Sequence, residues 1–509
     1  MSAGLVELDA SGLSPDDVIA VARRDAPVSL GAEARAAMER SAAVVSGLVD
    51  AVEPAYGVST GFGSLANVAI PADRRTELQR ALVRSHAAGM GAPVEPEVVR
   101  AMMLLRARTL AMGCSGARPV VAEAIIALLN AHVTPMVPEF GSLGASGDLA
   151  PLAHCALVLL GEGEVLGGED VGAALARAGL QPLVLEAKEG LALINGTDGM
   201  LGMLVLAIAD LERLLRVADI AAAMSVEALL GTDRAFAADL VALRPQAGQQ
   251  ASAANLTRLL AGSAIVASHR YNDDRVQDAY SLRCTPQVVG AARDTLAHAR
   301  GVAANELVSA IDNPMVLPDG RVESCGNFHG APLGFVMDFL AIAIAEVGGI
   351  AERRTDRMLD AKRSDGLPPF LAPDAGVNSG LMIAQYTQAA LVAENRRLAA
   401  PASVGSLPTS AMQEDHVSMG WSAARKLRAS VRNLARILAV ELTCAARGID
   451  LRGPLAPAAG TGAAHAVVRN AVGGPGPDRW LAPELAAVEA LITSGAVLGA
   501  VESTIGALA

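Results

Sequence analysis

The tripeptide Ala145-Ser146-Gly147 has an order that suits one specific backbone reaction. If the amide nitrogen of Gly147 attacks the carbonyl carbon of Ala145, a five-membered ring closes. Small flanking side chains leave that approach open, and glycine tolerates the compressed dihedrals. Loss of water from the ring and of the Ser146 hydroxyl then leaves an exocyclic methylidene, a strong electrophile. By composition alone, the same three residues are an ordinary flexible turn. Asp148 is a fair N-cap and Pro151 suits a first helical turn, so a helix is expected from about residue 149 to 160. Its N-terminus would stabilise negative charge pushed onto the ring oxygen.

A second glycine-bearing loop, Asn195-Gly196-Thr197-Asp198, also precedes a long apolar stretch. The two loops direct helix N-termini and backbone N–H groups into whatever cavity they face. His86 recurs at a spacing of four with Leu78 and Leu82, which puts it on the apolar face of a helix; alone, that is the pattern of a core histidine. Glu414, among small apolar residues, would be costly to bury without a polar partner. Other motifs carry no chemistry. The run 61–66 fits GxGxxA but follows no strand, no glycine is followed by lysine, and the eight histidines lack HExxH or other ligand spacing, so no metal site is expected.

The elements that must position these residues read as helices. Residues 96–112 place Val98, Met102, Leu105 and Met112 on one stripe, with Gly113 as a C-terminal stop. Long helical patterns follow at about 199–230, 286–310, 331–360, 378–400 and 416–447, lengths that favour a bundle. Of the 509 residues 52% are hydrophobic, 3% aromatic and 18% charged, so small aliphatics must fill the helix interfaces. That low charge also points to apolar surface meeting another subunit. A net charge of −12 and only three lysines, Lys188, Lys362 and Lys426, argue against nucleic acid. Five scattered cysteines and an acidic N-terminus without a signal-peptide pattern point to a reduced, cytoplasmic setting. The apolar stretches 201–209 and 335–350 have acidic residues in or beside them and read as buried helices rather than membrane spans. No linker marks a clean boundary; an N-terminal region 1–200 carrying the pocket and a helical region 201–509 are the expected divisions.

The run 141–154, GSLGASGDLAPLAH, resembles the signature of the aromatic amino acid ammonia-lyases, and the similarity extends from about Tyr56 to the C-terminus. Blocks at 56–63, 191–198, 275–287, 326–330 and 413–419 follow in family order. The resemblance implies that Ala145-Ser146-Gly147 becomes 4-methylideneimidazole-5-one, with a 2,3-didehydroalanine at Ser146 and no external cofactor. It further implies a mainly α fold: a long helical bundle with an N-terminal loop-rich active-site region, of fumarase/aspartase-like architecture, in a homotetramer with shared active sites. Ser85-His86 and Gln413-Glu414 are similar to the histidine-specific branch, which implies L-histidine as substrate and trans-urocanate as product, a first step of histidine degradation.

By the same resemblance Tyr56 lies near the substrate β-carbon, Asn195 near the prosthetic ring, and Phe328 in an aromatic wall. Gln277, Tyr280 and Arg283 form a substrate-facing cluster, with Arg283 suited to the α-carboxylate. Tyr56 or Glu414 is the base, and either the amine or the imidazole adds first. The sequence departs from the family at Ser59, usually a larger polar residue, and at Gly405, often acidic. The nearest rival is a phenylalanine or tyrosine ammonia-lyase or aminomutase, which His86 and Glu414 oppose. A fumarase-type lyase would carry a Gly-Ser-Ser-x-Met-Pro-x-Lys-x-Asn loop, which is absent here. A non-catalytic scaffold would have lost the pocket residues.

Overall fold

The computed structural model describes residues 4–49, 56–271 and 273–509, so the first three residues of the acidic N-terminal stretch lie outside it. The protein is mainly α: among the described residues there are twenty α-helices and three two-stranded ladders. The long helical patterns become Asp198–Ala228, Thr285–Glu306, Ala331–Leu359, Met382–Leu398 and Gly420–Asp450. Their boundaries fall within a few residues of those read from periodicity.

The chain forms two compact units. One comprises Met1–Leu206, Arg300–Met337 and Pro401–Arg425; the other comprises Ala207–Ala299, Asp338–Ala400 and Lys426–Ala509. In the first unit, Ser14 and Asp17 form a reciprocal capping box at the Pro15–Arg24 helix, and proline opens the Pro96–Ala111 and Pro119–Asn130 helices.

The sequence predicts one apolar stripe on the helix after Pro96. The structure instead buries every residue from Val98 to Ala111, arginines included. Those arginines are tolerated because their polar ends find partners. Arg106 pairs with Asp198 at 2.6 Å and donates to the carbonyl of Ala192 at 2.8 Å. Arg108 donates to the carbonyls of Glu306 and Ser309, and burial pushes its guanidinium down to about 10. Gly113 stops this helix at φ +70°, where an added Cβ would lie 2.6 Å from the Cβ of Ala37.

In the second unit, Arg354 and Glu441 are wholly buried and paired, with Arg354 Nη2 donating to Glu441 Oε2 at 3.0 Å. The Ala331–Leu359 helix reaches the length and mean hydropathy, 1.9, of a membrane span, more than its acidic residues imply from sequence. Of that apolar window 56% is buried inside the protein, as in a core helix.

Candidate active site

The reactive loop is pinned from both ends. Ser418 donates to the Gly144 carbonyl through both N–H (3.3 Å) and Oγ (3.1 Å), and Met419 N–H reaches the Leu143 carbonyl at 2.9 Å. On the other side, Asp148 N–H donates to the Gly196 carbonyl at 2.6 Å, and Gly147 bridges Gly196, which joins the two glycine loops. Gly147 sits at φ +77°, and a Cβ there would come within 2.1 Å of the Gly196 oxygen. Only glycine fits.

Asp148 does stand at the N-cap of the Leu149–Leu159 helix, but its side chain does not cap it. The carboxylate turns inward, accepting from Met200 N–H and Ser142 Oγ, each at 2.9 Å. Burial pushes its pKa up to about 7.

Ser146 faces a cavity of about 470 Å³ together with Tyr56, His86, Asn195 and Glu414. Four polar candidates from distant parts of the chain thus meet around the loop. The Arg75–His86 helix contributes Leu78, Leu82 and His86 to the wall, the face that their spacing of four predicts. His86 Nδ1 lies 2.9 Å from the Leu82 carbonyl, a contact that only a protonated Nδ1 can make. In the neutral ring this leaves Nε2 as an acceptor, and burial holds the pKa of His86 below its usual value.

Tyr56 packs edge-to-face on Phe62, and its hydroxyl accepts from Gly63 N–H at 3.1 Å. Burial raises its pKa; the Gly63 bond opposes the shift and the Glu414 charge adds to it. Glu414 is steadied by Thr409 Oγ1 donating to Oε2 at 3.0 Å. Asn195 gives both amide hydrogens away, to Asp312 Oδ1 (3.0 Å) and the Asn313 carbonyl (2.9 Å). Its Oδ1 is buried without a partner.

Other candidates are not on this wall. Phe328 belongs to the same unit but lies half-buried in a turn and does not line the cavity. Gln277, Tyr280 and Arg283 belong to the second unit, where the Arg283 guanidinium stacks 4.7 Å from the Tyr280 ring centroid. Sequence reasoning missed Asn313 and Ser410, which line the cavity, and Asp312, which holds Asn195; the turn-forming Asp312-Asn313-Pro314 was a signal for the first and last of these, and nothing marked Ser410. Ser59 is buried and Gly405 exposed, and neither lines the cavity.

A cavity of about 550 Å³ in the second unit is larger, but its walls are mainly apolar. Its charged side chains are engaged in ion pairs, Arg436 with Glu489 and Arg479 with Glu484. Among the described residues, no cluster of three or more histidine, cysteine or acidic side chains is placed to hold a metal ion.

The sequence of the aromatic amino acid lyase family matches residues 13–470. The chain is 60% identical over 509 residues to a histidine ammonia-lyase of Streptomyces avermitilis, covering 99% of each chain. Among solved structures, it is similar to a histidine ammonia-lyase from Trypanosoma cruzi, with a TM-score of 0.90 and 40% identity over 98% of this chain and 96% of that one. It is equally similar in fold to a tyrosine aminomutase from Streptomyces globisporus, with a TM-score of 0.92 and 39% identity over 98% of both chains.

Proposed function

The chain belongs to the aromatic amino acid lyase family, and from that premise we propose that it eliminates ammonia from L-histidine to give trans-urocanate. The observation that carries the substrate assignment is His86: a neutral imidazole whose Nδ1 is tied to Leu82, leaving Nε2 as an acceptor on the cavity wall. An acceptor there recognises a ring that carries an N–H. The substrate imidazole offers such a donor and the ring of phenylalanine offers none; against tyrosine, whose phenol O–H also donates, the assignment is supported by the 60% identity to a histidine ammonia-lyase.

Ala145-Ser146-Gly147 fits the family's 4-methylideneimidazole-5-one. Position 147 admits only glycine, the loop is held at Gly144 and Gly196, and the buried Asn195 Oδ1 nearby lacks a partner. The group supplies an electrophile that makes the substrate's nitrogen a better leaving group, and no external cofactor is needed.

The chain's own residues then have distinct tasks. His86 accepts the imidazole N–H and sets the ring's orientation. Tyr56, kept protonated by burial and by the Glu414 charge, presents a phenol to the reacting amine. Glu414 is left to remove the β-proton, a step to which general base catalysis contributes about 10²–10⁴-fold. The N-terminus of the Leu149–Leu159 helix follows the tripeptide directly and would stabilise negative charge on the group once formed.

Among the described residues, the cavity wall includes no lysine or arginine to meet the α-carboxylate. We assign that task to Arg283 of a second copy, with Tyr280 and Gln277 beside it, in a homotetramer. Tyr280 is 71% exposed, and the Ala331–Leu359 helix exposes Phe335, Phe339 and Ile342 at helical spacing, surface suited to a partner subunit. Phe328 completes an aromatic wall in that assembly. The five cysteines are unpaired, which supports a cytoplasmic location. The test is urocanate formation from L-histidine by the purified protein. Absence of turnover by protein whose mass shows the double dehydration would overturn the assignment.

A further inference from the structure

Lys188 and Asp312 are fully buried, and Lys188 Nζ donates to Asp312 Oδ2 at 2.7 Å. Lysine is scarce in this chain, with three in 509 residues. This one also opens the Glu189–Ile194 helix at φ +68°, a conformation that lysine rarely adopts. A buried ion pair is weak evidence for stability, because desolvation offsets the attraction. Its other carboxylate oxygen is informative. Asp312 Oδ1 accepts from Asn195 Nδ2 at 3.0 Å and from Asn313 N–H at 2.7 Å.

A primary amide has a donor end and an acceptor end of nearly the same shape, so a neutral neighbour could hold Asn195 either way round. An ionised carboxylate only accepts, and so does the Asn313 carbonyl; the NH₂ must face both. The acceptor Oδ1 is then the one polar atom of this cavity-lining side chain without a partner.

We propose that Lys188 and Asp312 are positioning residues, a charged pair that locks the Asn195 amide with its oxygen free to accept an N–H from the substrate's amino group. The inference rests on the ammonia-lyase reading. Lys188 holds Asp312 in place through Oδ2, Asp312 fixes the amide before substrate arrives, and no reorganisation is required when the amine leaves.

A double-mutant cycle tests this, with kcat and KM for L-histidine measured on Asp312→Asn, Asn195→Ala and the double variant. Asp312→Asn keeps the volume but removes the charge that, together with the Asn313 carbonyl, holds the amide in this orientation. It should lower kcat by roughly 10- to 100-fold, the scale of a misplaced group, while KM changes little. In the Asn195→Ala background the same change should cost nothing further, because its only route to the chemistry is gone. Intact mass should show the loss of two waters in every variant, and melting should stay cooperative, which separates positioning from ring formation and folding. Lys188→Arg should retain activity that Lys188→Met loses, and this pair serves if Asp312→Asn does not fold. Losses that multiply in the double variant, or equal activity of Lys188→Met and Lys188→Arg, would overturn the proposal while leaving the ammonia-lyase reading intact. Wild-type protein inactive on histidine would instead overturn that reading.

Discussion

The chemistry of single residues is where substrate choice and electrophile formation separate. His86→Leu removes the acceptor for the imidazole and should weaken histidine binding by about 1–3 kcal/mol. Binding of L-histidine, measured calorimetrically on a Glu414→Gln background whose turnover is slowed by loss of the base, checks the magnitude. Gly147→Ala acts at an earlier stage: with φ at +77° and the Gly196 oxygen in the way, the loop cannot keep its shape. Intact-mass spectrometry of that variant should show no loss of water. Asp148 gives a pH signature. Its buried carboxyl has a pKa near 7 in the folded state, against 3.8 ordinarily, so between those values the folded protein binds the extra proton. Its contribution to stability is full at low pH and falls as pH rises through about 7. Asp148→Asn should flatten the decline in melting temperature over that window; an unchanged slope would place the titrating group elsewhere. The meeting of His86, Tyr56, Asn195 and Glu414 at one cavity was legible from family order, and for His86 alone from helical spacing as well. Asp312 and the positioning role of Lys188 were not, since a buried ion pair leaves no periodic trace and its partners lie more than a hundred residues apart.

At the scale of elements, the long helices were readable because their apolar residues repeat over many turns. The sidedness of the Pro96–Ala111 helix was not, because burial of Arg106 and Arg108 depends on Asp198 and on carbonyls brought by distant segments. The inward turn of the Asp148 side chain likewise depends on Met200 and Ser142 rather than on its own helix. The same logic holds at the short Tyr280–Arg283 helix, where Arg354, paired with Glu441, donates to the Ser281 carbonyl at 3.3 Å. Arg354→Met would leave Glu441 as a buried, uncompensated charge, and denaturant unfolding should show a loss of about 3–5 kcal/mol. Pairing it with Glu441→Leu should restore much of that loss. If the single variant is as stable as wild type, the pair does not anchor this unit.

For the whole molecule, the account requires a carboxylate-binding arginine that one copy's cavity wall does not include. Tyr56→Phe and Arg283→Ala proteins, each inactive alone, should regain partial activity when co-assembled, because some mixed sites then hold both intact residues. A fully active monomer in sedimentation would remove the need for a second copy. Fold similarity cannot choose the reaction, since a histidine ammonia-lyase and a tyrosine aminomutase match this chain almost equally well. The choice rests on His86 and Glu414, and the direct measurement is kcat/KM for L-histidine, L-phenylalanine and L-tyrosine on the same preparation, with urocanate and ammonia quantified. The account predicts stoichiometric urocanate and ammonia from histidine, preferred by about 10²-fold or more over the other two, as expected when a buried polar group loses its partner. Preference for phenylalanine or tyrosine, or rearranged product without release of ammonia, would contradict it.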